Sequence, residues 1–302
     1  MRPVPCKRTK GGISTPPRDG RPRCSRRPGD HSERRMQRGA LHEGLAAGEA
    51  RVLSPDPLHD EPLTLHLAAP QTPLSASTPL VLYASGDGGW FGAAVRMFHT
   101  IASSGFPTVG FSTKAFMQIE HRWSSTLSVA DVAEGYQQII DAARAQLRLP
   151  PDAPAVLTGW SRGASLGVLV ASSREVDPQV IGLVAIGLDA NEQLDIEGDD
   201  DDDEGTDIDV PLVRDDGHHA RSIAMYPLLS MIAPRRSVVI QASGDGYLPA
   251  ARARELFGPD STMRRLVTVD ARNHRFDGGE PRFAAALVEA LGGVSSSEAE
   301  PR

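Results

Sequence analysis

Short apolar runs alternate with longer amphipathic segments through most of the chain, from about residue 62 to residue 291. A brief apolar run between turn-forming residues predicts a buried strand, whereas apolar positions three and four residues apart predict a helix. The predicted strands are 62–68, 80–84, 107–111, 155–158, 180–186, 237–242 and 265–269. The predicted helices are 91–103, 129–147, 161–173, 249–257 and 281–291. This alternation indicates an α/β protein whose mostly parallel sheet is flanked by helices.

The two ends of the chain lack this pattern. Residues 1–50 carry 12 Lys/Arg against 5 Asp/Glu and are rich in Pro, Gly and Ser. This composition predicts a disordered basic tail, or a start assigned too early, with Met36 as the alternative start. No apolar stretch typical of a secretory signal is visible, so we expect no signal peptide. We expect one domain at 51–293 and a disordered polar tail at 294–302.

A strongly acidic segment, 192–217, follows the predicted strand 180–186. It holds 13 acidic residues and one basic residue, Arg214, and residues 199–203 are all aspartates. Repulsion between these charges predicts a flexible insertion. We consider two interpretations, a solvated loop or an acidic rim that attracts a cationic substrate or Ca²⁺. The spacing does not match an EF-hand loop.

Charge and composition exclude several classes of function. Outside the basic tail the chain has 20 basic and 34 acidic residues, which argues against a general nucleic-acid-binding protein. The apolar runs are shorter than the roughly 20 residues of a transmembrane helix. Both cysteines, Cys6 and Cys24, lie in the basic tail, and no Cys/His cluster suggests zinc. We therefore expect no transmembrane segment, no metal and no cofactor.

The motif G-x-S-x-G occurs at 159–163, between a predicted strand and a predicted helix. In that context the motif forms a sharp turn that exposes the serine hydroxyl, so Ser161 is the candidate nucleophile. The motif recurs at 163–167, but Ser165 lies about one turn inside the helix, where its hydroxyl is poorly placed for attack. We interpret Ser165 as a small residue that packs against the sheet.

A serine nucleophile needs a base, and the base needs an acid that orients it. Asp245 follows the strand 237–242 and His274 follows the strand 265–269, so both are expected at the sheet edge that carries Ser161. The order Ser, Asp, His is typical of the α/β-hydrolase fold, in which the acidic insertion would follow the sixth strand. Asp189 is the alternative acid. The residues that fit these roles less well are His99, His121, His218, His219 and Asp270.

An acyl-transfer site also needs donors for the oxyanion that forms during attack. In α/β hydrolases one donor is the backbone N–H after the nucleophile, here Arg162. The other comes from the loop after an earlier strand, here the backbone N–H of Asp87 in the glycine-rich loop 85–90. The candidate substrate-binding residues are Gly88, Trp90, Trp160 and Asp189.

These motifs resemble the bacterial virulence protein family of VirJ and AcvB. The resemblance rests on S-G-D-G-G-W at 85–90, G-W-S-R-G at 159–163 and N-H-R-F at 273–276, and it covers roughly 79–291. It implies an α/β-hydrolase domain that hydrolyses aminoacylated phosphatidylglycerol, such as lysyl-phosphatidylglycerol, with Ser161, Asp245 and His274 as the triad. It also implies a periplasmic location, whereas the absence of a visible signal peptide favours the cytoplasm.

Three hypotheses of function follow from the sequence. The first is an esterase that acts on an aminoacyl or acyl ester of a small molecule or lipid headgroup, in peripheral contact with a membrane. The second is a general carboxylesterase or thioesterase. The third is a non-catalytic partner of a secretion apparatus, because a fold alone does not fix a function.

Overall fold

A computed structural model describes residues 50–53, 58–59, 61–70, 75, 77–124, 127–194 and 222–295. Except for Ala50, the predicted basic tail lies outside the described residues. The same is true of residues 195–217 of the acidic insertion and of residues 296–302 of the second tail. Residues 294–295, predicted to belong to that tail, are instead the end of the last helix.

An eight-stranded sheet forms the centre of the described chain. Its strands are β1 (Ala50–Leu53), β2 (Leu65–Ala68), β3 (Leu80–Ala84), β4 (Thr108–Phe111), β5 (Ala155–Trp160), β6 (Val180–Ile186), β9 (Arg236–Ala242) and β10 (Arg264–Val269). They lie in the order β1-β2-β4-β3-β5-β6-β9-β10. Strands β1 and β2 pair antiparallel, as do β2 and β4, and all the remaining pairs are parallel. A separate antiparallel pair consists of β7 (Asn191–Glu192) and β8 (Ile223–Ala224).

Helices connect the parallel strands, as the predicted alternation requires. They are α1 (Ala93–Ala102), α2 (Thr113–Trp123), α3 (Val129–Leu147), α4 (Arg162–Ser172), α5 (Met225–Leu228), α6 (Ala250–Phe257) and α7 (Glu280–Ser295). Helix α3 begins with a capping box in which Ser128 and Asp131 each accept the other's backbone N–H. It ends where Arg148 adopts the left-handed conformation, before the two prolines that cannot continue a helix.

The hydrophobic core lies on both faces of the sheet. Strands β3, β4, β5, β6 and β9 are buried along almost their whole length, which explains why they consist of continuous apolar runs. The edge strand β10 is buried only at Leu266 and Val269. Because β3, β5, β6, β9 and β10 run parallel, their carboxyl ends lie along one edge of the sheet, and the loops after them are brought together there.

The sequence pattern does not predict helix α2, and the reason lies in its buried face. Glu120, only 3% exposed, occupies a position in this face where an apolar residue would be expected. Its Oε2 atom lies 3.1 Å from Nε2 of His59. The His59 ring also stacks on Trp123, which belongs to α2 like Glu120. Burial raises the pKa of Glu120, and the bond to His59 opposes that effect. An ionisable residue at this buried position therefore interrupts the apolar pattern of the helix.

Candidate active site

Ser161 lies at the junction of β5 and α4 in a strained backbone conformation, with φ 56° and ψ −126°. Such a conformation costs a non-glycine residue roughly 1–3 kcal/mol and is common at functional sites. The flanking glycines are required sterically. A Cβ at Gly159 would lie 2.1 Å from the carbonyl oxygen of Gly163, and one at Gly163 would lie 2.3 Å from those of Ala84 and Ser85. The turn therefore presses α4 against the end of β3.

Asp245 and His274 form a buried pair at the same edge of the sheet. The Nδ1 atom of His274 lies 2.7 Å from Oδ2 of Asp245, and the two side chains are 8% and 0% exposed. The carboxylate also accepts hydrogen bonds from the backbone N–H of Tyr247 at 2.9 Å and from Nε2 of Gln241 at 2.9 Å. With Asp245 ionised, Nδ1 donates the bond and Nε2 carries the free lone pair. Nε2 has no hydrogen-bond partner among the described residues.

The imidazole of His274 is enclosed by three neighbours. The indole Nε1 of Trp160 donates to the backbone carbonyl of His274 at 3.1 Å, and the two rings lie 5.5 Å apart. Tyr247, 77% exposed, packs edge-on at 4.9 Å. Gly187 has φ +57°, and a Cβ there would lie 2.7 Å from Cε1 of His274. The ring is therefore held between β5, the end of β6 and the loop after β9.

Ser161 and the glycine-rich loop after β3 meet at the same place. A Cβ at Gly86 would lie 3.3 Å from Cβ of Ser161 and 3.2 Å from the Trp160 ring. The start of this loop is fixed because Thr113 donates to Ser85 through both its backbone N–H, at 3.1 Å, and its hydroxyl, at 2.6 Å. Trp160 thus adjoins the loop on one side and His274 on the other.

Asp87 and Arg162 present unused backbone donors beside this junction. Within the described residues, neither backbone N–H has a hydrogen-bond acceptor. The Asp87 carboxylate accepts from the N–H of Gly88 at 2.7 Å, so it is occupied within its own loop. Arg162 directly follows Ser161, and Asp87 directly follows Gly86, which approaches Ser161. Free N–H groups at these two positions are candidates for binding a developing oxyanion.

The guanidinium of Arg162 is held by the first residues of the predicted acidic insertion. Its Nε atom lies 3.2 Å from Oε1 of Glu192, and its Nη2 atom donates to the carbonyl of Gln193 at 2.7 Å. Burial raises the pKa of Glu192, and the charge of Arg162 opposes that rise. The positive charge that follows the nucleophile in sequence is therefore paired with a carboxylate.

Asp189 is half-buried and lies close enough to the pair to interact electrostatically with it. Burial raises the pKa of its carboxyl, His274 opposes the rise, and the carboxylates of Asp245 and Asp87 add to it. Nδ1 of His274 donates its hydrogen bond to Asp245, not to Asp189. The alternative in which Asp189 orients the histidine therefore lacks the required contact.

Trp90 is placed differently from the other candidate substrate-binding residues. Its ring stacks on His66 at 4.0 Å and contacts Tyr83 and Phe98 edge-on at 5.9 and 5.1 Å. Its described ring contacts do not include the Asp245–His274 pair. Trp90 therefore packs against β2, β3 and α1, where it can support the glycine-rich loop. Gly88, by contrast, is exposed at the loop tip, beside the exposed ring of Phe91.

The remaining candidates lie away from the pair or outside the described residues. His121 bonds the carbonyl of Leu194 at 2.8 Å, and Asp270 lies on the surface 3.7 Å from Arg282. His99 belongs to α1, and its carbonyl accepts from Ser103. His218 and His219 lie outside the described residues. Gly187 and Tyr247 were not among the predicted site residues, although each comes shortly after a predicted strand.

Two features are absent from the described part of the chain. No group of three or more His, Cys, Asp or Glu side chains there is arranged to hold a metal ion. Within the same residues, no helix has both the length and the apolar character needed to cross a membrane.

Gly187→Ala is expected to displace His274, because the added methyl group would overlap its ring and the residue would keep a positive φ. We expect a loss of about 1–3 kcal/mol in the free energy of unfolding, measured by urea denaturation, together with shifted NMR signals of the His274 ring. Gly246→Ala is the matched control, because a Cβ there meets nothing within 4 Å. Equal behaviour of the two variants would contradict the tight contact.

Asp189→Asn is expected to stabilise the protein at neutral pH. Because burial raises the pKa of Asp189, wild type loses stability as the pH rises from the ordinary value of 3.8 through the raised value. The variant lacks that charge, so its advantage should be present at pH 7 and disappear below the ordinary pKa, as measured by urea unfolding at several pH values. Asp270→Asn, at a side chain 83% exposed, should show no such advantage. An Asp189→Asn advantage independent of pH would refute this explanation.

Comparison with known proteins supports the architecture. No protein-family model matches the sequence, and no curated protein gives a match. Among solved structures, the chain is similar to an esterase domain from Rhodothermus marinus, with 17% identity, TM-score 0.50, and 81% of this chain and 95% of that chain covered. It is also similar to Est1E from Butyrivibrio proteoclasticus, with 14% identity, TM-score 0.51, and coverages of 82% and 99%.

A third similar structure is an α/β serine hydrolase homologue from Coxiella burnetii, with 12% identity and a TM-score of 0.52. The alignment covers 81% of this chain and 98% of that chain. At such low identities the likeness concerns the fold alone, and it agrees with the parallel sheet and its flanking helices. The chain has the α/β-hydrolase fold.

Proposed function

We propose that this protein is a serine ester hydrolase in which Ser161 is the nucleophile, His274 the base and Asp245 the acid that orients the base. The observation that carries the proposal is the buried 2.7 Å bond between His274 and Asp245, which leaves Nε2 of the imidazole without a partner. The strained turn at Ser161 and the unused N–H groups of Asp87 and Arg162 lie at the same edge of the sheet. Together these groups supply a nucleophile, a base and oxyanion donors.

The reaction would follow from these positions in two steps. Nε2 of His274 accepts the proton of the Ser161 hydroxyl as Oγ bonds to the ester carbonyl carbon, and the N–H groups of Asp87 and Arg162 stabilise the oxyanion. The C–O bond to the alcohol then breaks, and His274 returns the proton to the alcohol. In the second step water bonds to the acyl carbon of the acyl-enzyme and gives a proton to His274. The bond between that carbon and Oγ of Ser161 then breaks, His274 returns the proton to Oγ, and the acid is released. Asp245 stabilises the imidazolium in both steps.

For the substrate we propose an ester whose acyl group carries an ammonium, such as an aminoacyl ester of phosphatidylglycerol. The half-buried carboxylate of Asp189 supports this proposal, since an ammonium bound nearby would offset the cost of burying its charge. The VirJ/AcvB-like motifs at 85–90 and 159–163 point the same way. Lipid-borne substrates would require contact with a membrane surface during turnover. A general esterase is the second candidate, favoured by the esterase names of the similar structures.

A fluorophosphonate probe is expected to label Ser161, because the probe reacts with serines that a base activates. Ser161→Ala and His274→Ala should each abolish labelling, as measured by mass spectrometry of the labelled peptide. Ser165→Ala is the matched control, since Ser165 is fully buried inside α4, and it should be labelled like wild type if it folds. A folded wild-type protein that is not labelled would contradict the hydrolase proposal and favour a binding function.

Asp189→Asn is expected to lower the preference for a lysyl ester over an uncharged acyl ester of the same alcohol. We expect a reduction of about tenfold in the ratio of the two kcat/KM values, the equivalent of about 1.4 kcal/mol. Lysyl-phosphatidylglycerol in vesicles and a p-nitrophenyl ester panel provide the substrates. Asp270→Asn serves as the control. A wild-type enzyme without any preference for the lysyl ester would leave the general esterase as the better assignment.

A further inference from the structure

We propose that Asp277, held by Arg96, is a positioning residue for His274. The inference rests on the proposed function, in which His274 is the base. Asp277 does not touch the imidazole; it acts through the short loop 273–279 that carries His274 between β10 and α7. The constellation of Arg96, Asp277 and Asn273, called here the Arg96 brace, joins this loop to α1.

The Asp277 carboxylate joins two parts of the molecule that are distant in sequence. Its Oδ1 atom accepts a hydrogen bond from Nη2 of Arg96, on α1, at 3.1 Å. Its Oδ2 atom accepts from Nδ2 of Asn273, the residue before His274, at 3.0 Å. These donors lower the pKa of Asp277, the bond from Asn273 having the largest effect. The carboxylate is therefore charged at neutral pH and can hold both groups.

The side chain of Asn273 forms hydrogen bonds with the backbone of the loop 273–279. Its Oδ1 atom accepts the backbone N–H of Arg275 at 3.0 Å and that of Asp277 at 3.3 Å. The Asn273 side chain thus bonds the backbone that follows His274. Its own orientation is fixed by the hydrogen bond that Nδ2 donates to Asp277. The loop is further fixed by Phe276, which has φ +61° and packs its buried ring 4.5 Å from that of Phe283.

The brace is more consistent with positioning than with general stability. The side chains of Arg96 and Asp277 are 53% and 35% exposed, and such ion pairs contribute little to folding. By contrast, the bonds of the brace within the loop join Asn273, directly before His274, to Arg275 and Asp277 on its other side. The Asp245–His274 bond fixes one nitrogen of the ring, but the backbone that carries the ring must also be fixed for Nε2 to point at a substrate.

The test is Asp277→Ala, compared with Asp260→Ala. Asp260 is a matched control because its carboxylate accepts from Arg254 at 2.6 Å and from the backbone N–H of Leu266 at 3.1 Å, at the opposite end of β10. We expect kcat for an ester substrate to fall roughly 10- to 100-fold in Asp277→Ala, with KM little changed. Asp260→Ala should keep the wild-type kcat. The thermal stabilities of the two variants should be similar.

Arg96→Met and Arg96→Lys examine the other side of the brace. Arg96→Met removes the charge that holds Asp277 and should lower kcat about tenfold. Arg96→Lys keeps a charge and should recover part of that loss. Asp277→Ala or Arg96→Met with kcat within about twofold of wild type, in folded protein, would overturn the proposal.

A spectroscopic measurement makes the inference independent of turnover. The Nδ1 proton of His274, bonded to Asp245, should give a far-downfield NMR signal in wild type. Greater mobility of the loop should broaden or remove this signal in Asp277→Ala, whereas Asp260→Ala should retain it. An unchanged signal in Asp277→Ala would refute positioning. If wild type hydrolyses no ester and is not labelled at Ser161, the proposed function fails, and this signal still decides whether the brace holds His274.

Discussion

The close approach of two backbones at the end of β3 and the start of α4 is the constraint on which the site depends. Gly163 lies so near the carbonyls of Ala84 and Ser85 that a methyl group would overlap both. This contact places the loop after β3 beside Ser161 and the start of α4. A larger residue at Gly163 would push α4 away from the loop that carries Asp87, and so separate Ser161 from that candidate oxyanion donor.

Asp245 and Asp189, two carboxyl groups near His274, have different numbers of hydrogen-bond donors around them. Asp245 is buried with four hydrogen-bond donors, from Gln241, Tyr247, Leu248 and His274. Asp189 is less enclosed, and its pKa is raised because burial is not offset by such donors. The first arrangement suits a carboxylate that is held in place as a hydrogen-bond acceptor. At Asp189 the burial of a charge remains unfavourable, and a cationic ligand bound nearby would reduce that cost. Functional sites commonly lower the stability of a protein in this way in exchange for binding.

Local sequence patterns predicted the parts of the fold that are encoded locally. The apolar runs of the central strands, the turn at Ser161 and the positions of Asp245 and His274 after their strands are all visible in the sequence. The roles of Trp90 and Glu120 are not, because they depend on His66 and His59 from distant parts of the chain. The same holds for Gly187. A side chain is excluded at this position only because the His274 ring packs against it in the folded protein.

The order of the strands has a consequence for how the molecule reaches its native state. Strand β10 lies at the sheet edge, where it pairs with β9 among the described strands, and the loop after it carries His274. The site therefore depends on contacts of long sequence separation, which form late because closing large loops is entropically costly. A folding intermediate that has built the β3–β5–β6 centre would already expose the serine turn. It would remain without its histidine until the carboxyl-terminal edge docks.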